Sequence, residues 1–247
     1  MGSARAEYFG AFEKNMNGAK KIVADIFWSV GIGPALRAFF EPDHLIVAYH
    51  SIDTGGAKPH LEISPGDFKR HLLYLRSRGY SFLRFSEPPR PERKNAFIYF
   101  DDGFKSVKEN AHPILKRLGI PATLFITTDY LDQKSEERLY MNWEEVKSIS
   151  DIFEFGSHAV SHRKLNKIPL GEAREEMARS KKIIEERLGR NVAAFSYPYG
   201  RSLPELEKIA HELGYRVTTA DKKFRKARPD PDDSFTVFKI KTGIAWL

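Results

Sequence analysis

Asn95-Ala96-Phe97-Ile98-Tyr99-Phe100-Asp101-Asp102-Gly103-Phe104-Lys105-Ser106 is an apolar run that ends abruptly in two adjacent carboxylates and a glycine. Residues 97–100 are β-branched and aromatic, the pattern of a short strand buried on both faces rather than of a helix. Two acids side by side at a strand's C-terminal end repel each other and are costly to desolvate, so they need a cation, a shared proton or open water. Taken alone, the stretch is explained equally well as a solvated Asp-Gly turn.

Further along stands Phe155-Gly156-Ser157-His158-Ala159-Val160-Ser161-His162, with two histidines four apart. On a helical turn, positions i and i+4 share a face, so both imidazoles reach one ion. In a chain with eight histidines, two surface or capping histidines account for the pair as well. A third piece, Phe195-Ser196-Tyr197-Pro198-Tyr199-Gly200, is an aromatic run broken by Pro and Gly at another strand end, and by itself reads as a β-turn.

Strand and helix alternate along most of the chain. Residues 45–49 read as the first buried strand, with His50 at its end, where a hydrogen-bonded structural histidine is the ordinary explanation. A loop over 51–65 leads into a helix to Arg78, with Phe68, Leu72 and Leu75 on its inner face and Gly79 as its stop. After Phe82-Leu83 and a polar, Pro-rich connection comes the acidic strand, then a helix over 107–118, a strand over 121–127 and a helix over 144–149. The charged helix over 172–188 turns Ala173, Met177 and Ile184 inward and presents its charges as a solvated face. Strands over 192–196, 216–219 and 235–241, a helix over 203–213 and a charged loop over 222–233 complete the pattern. This alternation predicts a parallel α/β sheet or barrel, in which sites gather at C-terminal strand ends.

Composition sets further bounds. A chain of 247 residues with 41% hydrophobic content is long enough for one large domain with a substantial core. With no cysteine, any metal must be held by His, carboxylate or water. The net charge of +7 favours anionic partners, but no basic run interleaves with aromatics as in nucleic-acid motifs, so dispersed surface charge is the reading and no nucleic acid is expected. Residues 8–40 carry a helical pattern around Phe27-Trp28-Ser29-Val30, too short between Asp25 and Arg37 to span a membrane and without a clear export signal. We expect residues 1–44 to form a helical extension and 45–247 the catalytic domain, with peripheral membrane or cell-envelope attachment through the extension as the alternative.

The three pieces in this order resemble the polysaccharide deacetylases, the NodB-like group also called carbohydrate esterase family four. The likeness runs from about residue 45 to about residue 240 and includes Val47-Ala48-Tyr49-His50-Ser51, Ile120-Pro121-Ala122-Thr123-Leu124-Phe125 and Met141-Asn142-Trp143. It implies a distorted (β/α) barrel and a hydrolase with a divalent metal, Zn²⁺ first and Co²⁺, Ni²⁺ or Mn²⁺ as alternatives, held by Asp102, His158 and His162. It further implies Asp101 as the base and, through Tyr49-His50 as in the poly-N-acetylglucosamine deacetylase branch, His50 as the acid. Tyr197, Pro198 and Tyr199 would contact substrate, with a backbone N–H near Tyr199 holding the oxyanion. The implied substrate is an acetylated, N-acetylglucosamine-containing glycan, a class expected at the cell envelope or outside the cytoplasm, while the sequence itself shows no clear signal peptide or transmembrane helix and leaves the compartment open. An O-acetyl esterase or deformylase on another sugar, and a noncatalytic carbohydrate-binding protein on the same fold, are the alternatives. Three positions depart from the family pattern. Ala159 stands where Ser or Thr is common, Ser196 where an Arg often orients the catalytic Asp, and Tyr99 where a Thr is frequent.

Overall fold

A computed structural model describes residues 44–54, 61–90, 92–131, 139–220 and 238–241. The expected helical extension over 1–44, the domain boundary it implies and the loop over 222–233 lie outside the described residues.

In chain order the strands are β1 (His44–Tyr49), β2 (Ser51–Ile52), β3 (Glu62–Ile63), β4 (Ser81–Leu83), β5 (Asn95–Phe100), β6 (Ala122–Ile126), β7 (Phe153–Ser157), β8 (Ala194–Ser196), β9 (Val217–Thr219) and β10 (Phe238–Lys241). The helices are α1 (Pro65–Ser77), α2 (His112–Leu118), α3 (Trp143–Ser148), α4 (Leu170–Leu188) and α5 (Pro204–Glu212). Eight strands form one all-parallel sheet in the order β10-β1-β5-β6-β7-β8-β9, with β4 also on β5. The sheet is curled into a half-barrel with helices, an α/β architecture that fits the distorted barrel expected from the sequence. Among the described residues no pairing joins β9 to β10.

The distortion has a visible cause at β5. One edge of this strand is taken along its whole length by β1, from His44↔Asn95 to Tyr49↔Phe100. The other edge is divided, with β4 on Asn95–Phe97 and β6 on Tyr99 and Phe100. Both faces of β5 are buried, as its unbroken apolar run required. On one face Ala96, Ile98 and Phe100 join Leu45, Val47, Leu124 and Ile126 beneath the helices, meeting Phe68 and Leu72 of α1, Leu115 of α2 and Met177 and Ile184 of α4. On the other, Phe97 and Tyr99 pack with Ile46, Ala48, Phe125, Ala194 and Phe85 in a smaller interior cluster. This alternation is the two-residue period of a strand applied to two cores.

Local signals behave as their chemistry dictates. Ser64 caps α1 by accepting the Asp67 N–H at 3.0 Å, and Asn142 caps α3 in a reciprocal box with Glu145. Two expectations change. Residues 51–65 are not all loop, because β2 and β3 pair as a small separate sheet. The run over 107–118 is not one regular helix, since Val107–Ala111 forms a wider π-helical turn before α2. Among the described residues no helix is long and apolar enough to cross a membrane.

Candidate active site

Parallel strands deliver their C-terminal ends to one rim, and here β1, β5, β6, β7 and β8 are consecutive neighbours in the sheet. His50 follows β1, Asp101 and Asp102 follow β5, Thr127 follows β6, His158 follows β7 and Tyr197 follows β8.

The Asp-Asp-Gly sequence makes a tight turn. The Asp101 N–H donates to Tyr49 O at 3.0 Å, continuing the β1–β5 pairing, and the Gly103 N–H turns back to Asp101 O at 3.0 Å. Asp102 sits at the apex with φ 75°, and Gly103 follows at φ 96°, a left-handed backbone that glycine tolerates. Residues on either side of Phe104 then pair with the stretch before α3, through Lys105 N–H to Leu139 O at 2.9 Å and Met141 N–H to Gly103 O at 3.0 Å. The non-glycine residues with positive φ, among those described, are Asp102, Ala159, His162 and Tyr199. Three of them are residues singled out from the sequence, and the fourth separates the two histidines. Such conformations cost on the order of 1–3 kcal/mol each and persist where the surroundings impose them.

The two histidines share a site, but not on a helical turn. Ser157 ends β7, and residues 158–162 form a loop bent by Ala159 at φ 67° and His162 at φ 58°. Their ring centroids lie 4.9 Å apart. The loop's backbone groups are held from both sides. His158 N–H donates to Ile126 O at 2.8 Å, while Thr128 and Asp129 N–H donate to Ala159 O and Val160 O at 3.3 and 3.0 Å. From α4, Glu176 Oε2 accepts the Val160 and Ser161 N–H groups at 3.0 and 2.9 Å, and its Oε1 accepts the Ser161 hydroxyl at 2.6 Å. Glu176 therefore corrects the reading of that helix's charges as wholly solvated. Its role was hidden because nothing in the i,i+4 pattern separates it from Glu175 or Glu172.

The donor atoms converge. Asp102, His158 and His162 offer ligand atoms that all lie within 4.8 Å of one another. Asp102 Oδ1 is 3.4 Å from His162 Nε2 and 3.7 Å from His158 Nε2. Ligands at the ~2.1 Å of a Zn–N or Zn–O bond in tetrahedral array stand about 3.4 Å apart, so the spacing fits donors around one ion. His158 Nδ1 is 2.7 Å from Ser196 O. A carbonyl only accepts, so Nδ1 carries the proton and the Nε2 lone pair faces Asp102. Ser196, where an arginine was noted as common, thus serves the site through its backbone. The Thr127 hydroxyl stands 3.5 Å from both Asp102 Oδ1 and His158 O, at the edge of hydrogen-bonding distance.

Asp101 is buried between two imidazoles, with Oδ1 3.8 Å from His158 Nδ1 and Oδ2 4.0 Å from His50 Nε2. His50 is itself a quarter exposed, at the mouth of the site. The segment after it is fixed by the Ser51–Ser106 hydroxyl pair at 2.9 Å and the Ile52 N–H to Ser106 Oγ at 3.2 Å.

Aromatic rings complete the walls. The exposed Tyr199 ring lies 4.7 Å from His162, with the Lys164 ammonium 4.9 Å from its centroid on the Pro198–Gly200 turn side of the loop. Tyr130 stands 5.8 Å from His162 and 4.5 Å from Tyr140. Burial, and then the Asp102 charge, push both of these phenols above the ordinary tyrosine range, so they stay protonated. Tyr130 and Tyr140 carried no signal in the sequence beyond their position after β6 and before α3. Tyr197 corrects an expectation in the other direction. Its ring is 1% exposed and packs edge-on against Phe195 at 5.0 Å, so it belongs to the core and is not presented to a ligand. Pro198 is likewise buried and shapes the turn beneath Tyr199.

The fold and site define an α/β half-barrel protein in which Asp, His and His donors that could hold a metal ion converge at the strand ends. The chain belongs to the polysaccharide deacetylase family, whose model matches residues 89–218, just over half of its length. It is 29% identical over 176 residues to a poly-beta-1,6-N-acetyl-D-glucosamine N-deacetylase of Staphylococcus aureus (strain MRSA252), covering 63% of this chain and 61% of that protein. The chain spans under two thirds of the length of the curated relatives it matches. Among solved structures, IcaB from Ammonifex degensii aligns with a TM-score of 0.64 and 27% identity, over 72% of this chain and 84% of that one. The Streptococcus pyogenes deacetylase PplD, solved in complex with acetate, aligns with a TM-score of 0.62 and 26% identity, over 70% and 80%.

Proposed function

We propose that this chain is a metal-dependent hydrolase that removes N-acetyl groups from N-acetylglucosamine-containing glycan. The observation that carries the reading is the convergence of Asp102, His158 and His162 with Asp101 and His50 standing beside them at the same rim. The hydrolase family and the glycan named for the Staphylococcus aureus relative support the substrate class.

Asp102, His158 and His162 would hold a divalent ion, Zn²⁺ foremost, with Co²⁺, Ni²⁺ and Mn²⁺ compatible with the same donors. Such an ion supplies Lewis acidity and a water of lowered pKa. The protein's own residues do the rest. Asp101, next in sequence to a ligand, takes the proton of the attacking water. The Tyr199 backbone N–H holds the developing oxyanion, and the exposed Tyr199 ring borders the sugar. His50 gives a proton to the departing nitrogen. This last role favours an amide over an ester, because an amine leaves poorly without protonation whereas an alkoxide of a sugar needs it less.

Acetate release from N-acetylglucosamine oligomers by metal-stripped protein, with Zn²⁺, Co²⁺ or Ni²⁺ restored, tests the reading. Activity should require the ion and fall about 10²–10⁴-fold in Asp101→Asn and in His50→Ala, the range of a general acid or base. Release from acetylated xylan that is indifferent to His50→Ala would replace the amidase by an esterase. Tight metal binding without turnover on any acetylated glycan would leave a binding protein.

A further inference from the structure

We propose that Glu176 is a positioning residue for the metal loop, and that its carboxylate sets the affinity of the site by shaping residues 158–162 before any ion arrives. The inference rests on the reading of Asp102, His158 and His162 as a metal site.

The loop has an unusual need. Its two histidines are four residues apart but not on a helix, and Ala159 and His162 both take a left-handed backbone. Backbone bonds from the 126–129 segment hold the His158 N–H and the Ala159 and Val160 carbonyls, but none of them takes the Val160 and Ser161 N–H groups. Glu176 instead accepts two successive N–H groups on one oxygen, at 3.0 and 2.9 Å, and the Ser161 hydroxyl on the other at 2.6 Å. Successive N–H groups directed at one anionic oxygen form a concave anion-binding turn, here filled by the protein's own carboxylate. The anchor is rigid. Glu176 lies on α4 between the fully buried Ala173 and Met177, and the neighbouring turn is pinned by Ser180 Oγ to Ser157 Oγ at 2.6 Å and by Tyr215 OH to Met177 O at 2.9 Å. The same α4 that packs on the sheet therefore fixes the interval between His158 and His162.

The residue type is dictated. A glutamate oxygen pair satisfies three donors, and aspartate is one methylene short of the loop. Glutamine keeps one carbonyl oxygen for the two N–H groups and turns an amide toward Ser161, which must then accept. Glu172, one helical turn earlier and exposed, pairs instead with Arg163 at 2.8 Å, outside residues 158–162. It is the natural control for simple loss of negative charge near a cation.

Full-length Glu176→Ala, Glu176→Gln, Glu176→Asp and Glu172→Gln, with Tyr215→Phe as a control for loosened α4 packing, would be stripped of metal and titrated with Zn²⁺ against a chromophoric chelator. Amide exchange of the 158–162 segment would be read in the same metal-free samples. Loss of a group that orients metal ligands typically costs 10–100-fold in metal affinity. We expect that loss in Glu176→Ala and Glu176→Asp, a smaller one in Glu176→Gln, and none beyond about twofold in Glu172→Gln; Tyr215→Phe, which removes one of the two pins of α4 but keeps the carboxylate, should lose less than Glu176→Ala. Exchange at Val160 and Ser161 should accelerate most in Glu176→Ala and stay unchanged in Glu172→Gln. Equal Zn²⁺ affinity in wild type and Glu176→Ala overturns the positioning role while leaving the metal site intact. Failure of the wild type to bind Zn²⁺, Co²⁺ or Ni²⁺ overturns the metal reading, and unchanged exchange in Glu176→Ala then overturns the loop-shaping role as well.

Discussion

Gly156 stands in β7 directly across from Phe125 of β6, and replacing it by alanine puts the packing of the site's foundation to a quantitative test. A Cβ at this position would lie 3.0 Å from Ala194 O and well inside contact distance of the Phe125 ring edge. The ring cannot swing away, since it is fully buried with centroids 5.3 Å from Tyr99 and 5.6 Å from Phe85. Forced overpacking in a core costs about 1–3 kcal/mol. For a domain of this size that lowers the melting temperature by about 2–12 °C. The strain also lands on the chemistry, because His158 lies two residues on and its N–H is bonded to Ile126 O, the neighbour of Phe125. Thermal unfolding and Zn²⁺ titration of Gly156→Ala, Phe125→Leu and the double variant would measure both effects. The smaller leucine should recover part of the alanine's cost, giving a coupling of about 0.5–3 kcal/mol of favourable sign. A Gly156→Ala melt within 1 °C of wild type at about that threshold, or strictly additive costs in the pair, would refute the close approach.

Other perturbations follow from local physics. His71 is buried on α1 and shares a hydrogen bond with the Tyr49 hydroxyl through Nδ1, 3.2 Å away; burial first, then Arg70, lowers its pKa from 6.5, so the fold favours its neutral form. The unfolded chain takes up the proton near that value, so stability is full above about pH 6.5 and is lost as pH falls toward the folded pKa; His71→Gln should lack this component in pH-dependent urea melts. Asp151, hydrogen-bonded by Lys116 and His112, is held down at about 2. Its contribution is present above the ordinary carboxylate range and disappears between about pH 4 and 2, and Asp151→Asn should flatten that window by less than about 1 kcal/mol because the pair is exposed. Asn142→Ala removes the side-chain half of the α3 capping box, the Asn142 Oδ1 that accepts the Glu145 N–H, while the Asn142 N–H keeps Glu145 Oε2, and it should cost about 1 kcal/mol by chemical denaturation. Gly103→Ala combines φ 96° with a Cβ 3.1 Å from Leu131 Cδ2, so it should lower both stability and metal affinity, the latter read by chelator competition.

Residues whose roles depend on local pattern were legible before the structure. The buried-both-sides reading of β5 follows from a continuous apolar run, and the inward faces of α1 and α4 follow from periodicity. Asp102, His158 and His162 could be grouped only through the ordered resemblance to the polysaccharide deacetylases, and the structure brings them to one point. What sequence could not carry was backbone shape. Four left-handed non-glycine residues stand at the rim, and only Asp102 and Tyr199, each followed by a glycine in a stretch that reads as a turn, gave any hint of it. The helical placement of the histidine pair failed for that reason, since spacing alone is compatible with a helix and with a kinked loop. Glu176 and Tyr197 were misread for a different cause. Glu176 was judged by residue type, as a charge turned outward, and Tyr197 through the family resemblance, whereas long-range packing sends one inward to a loop and the other into the core.

The division of labour around His158 has a consequence for how the protein comes into being. Both histidines are synthesised by residue 162, but the carbonyl that fixes the tautomer of His158 belongs to Ser196, about 34 residues later. At a synthesis rate of about 5–20 residues per second, that is a delay of about 2–7 seconds. Throughout it the donors exist on the nascent chain without their orienting acceptor and without the completed neighbour strand. A divalent ion would therefore act on the finished sheet rather than on an early fragment. Its stabilisation, RT ln(1 + [L]/Kd), would work as a late clasp on β8 and not as a nucleus for folding.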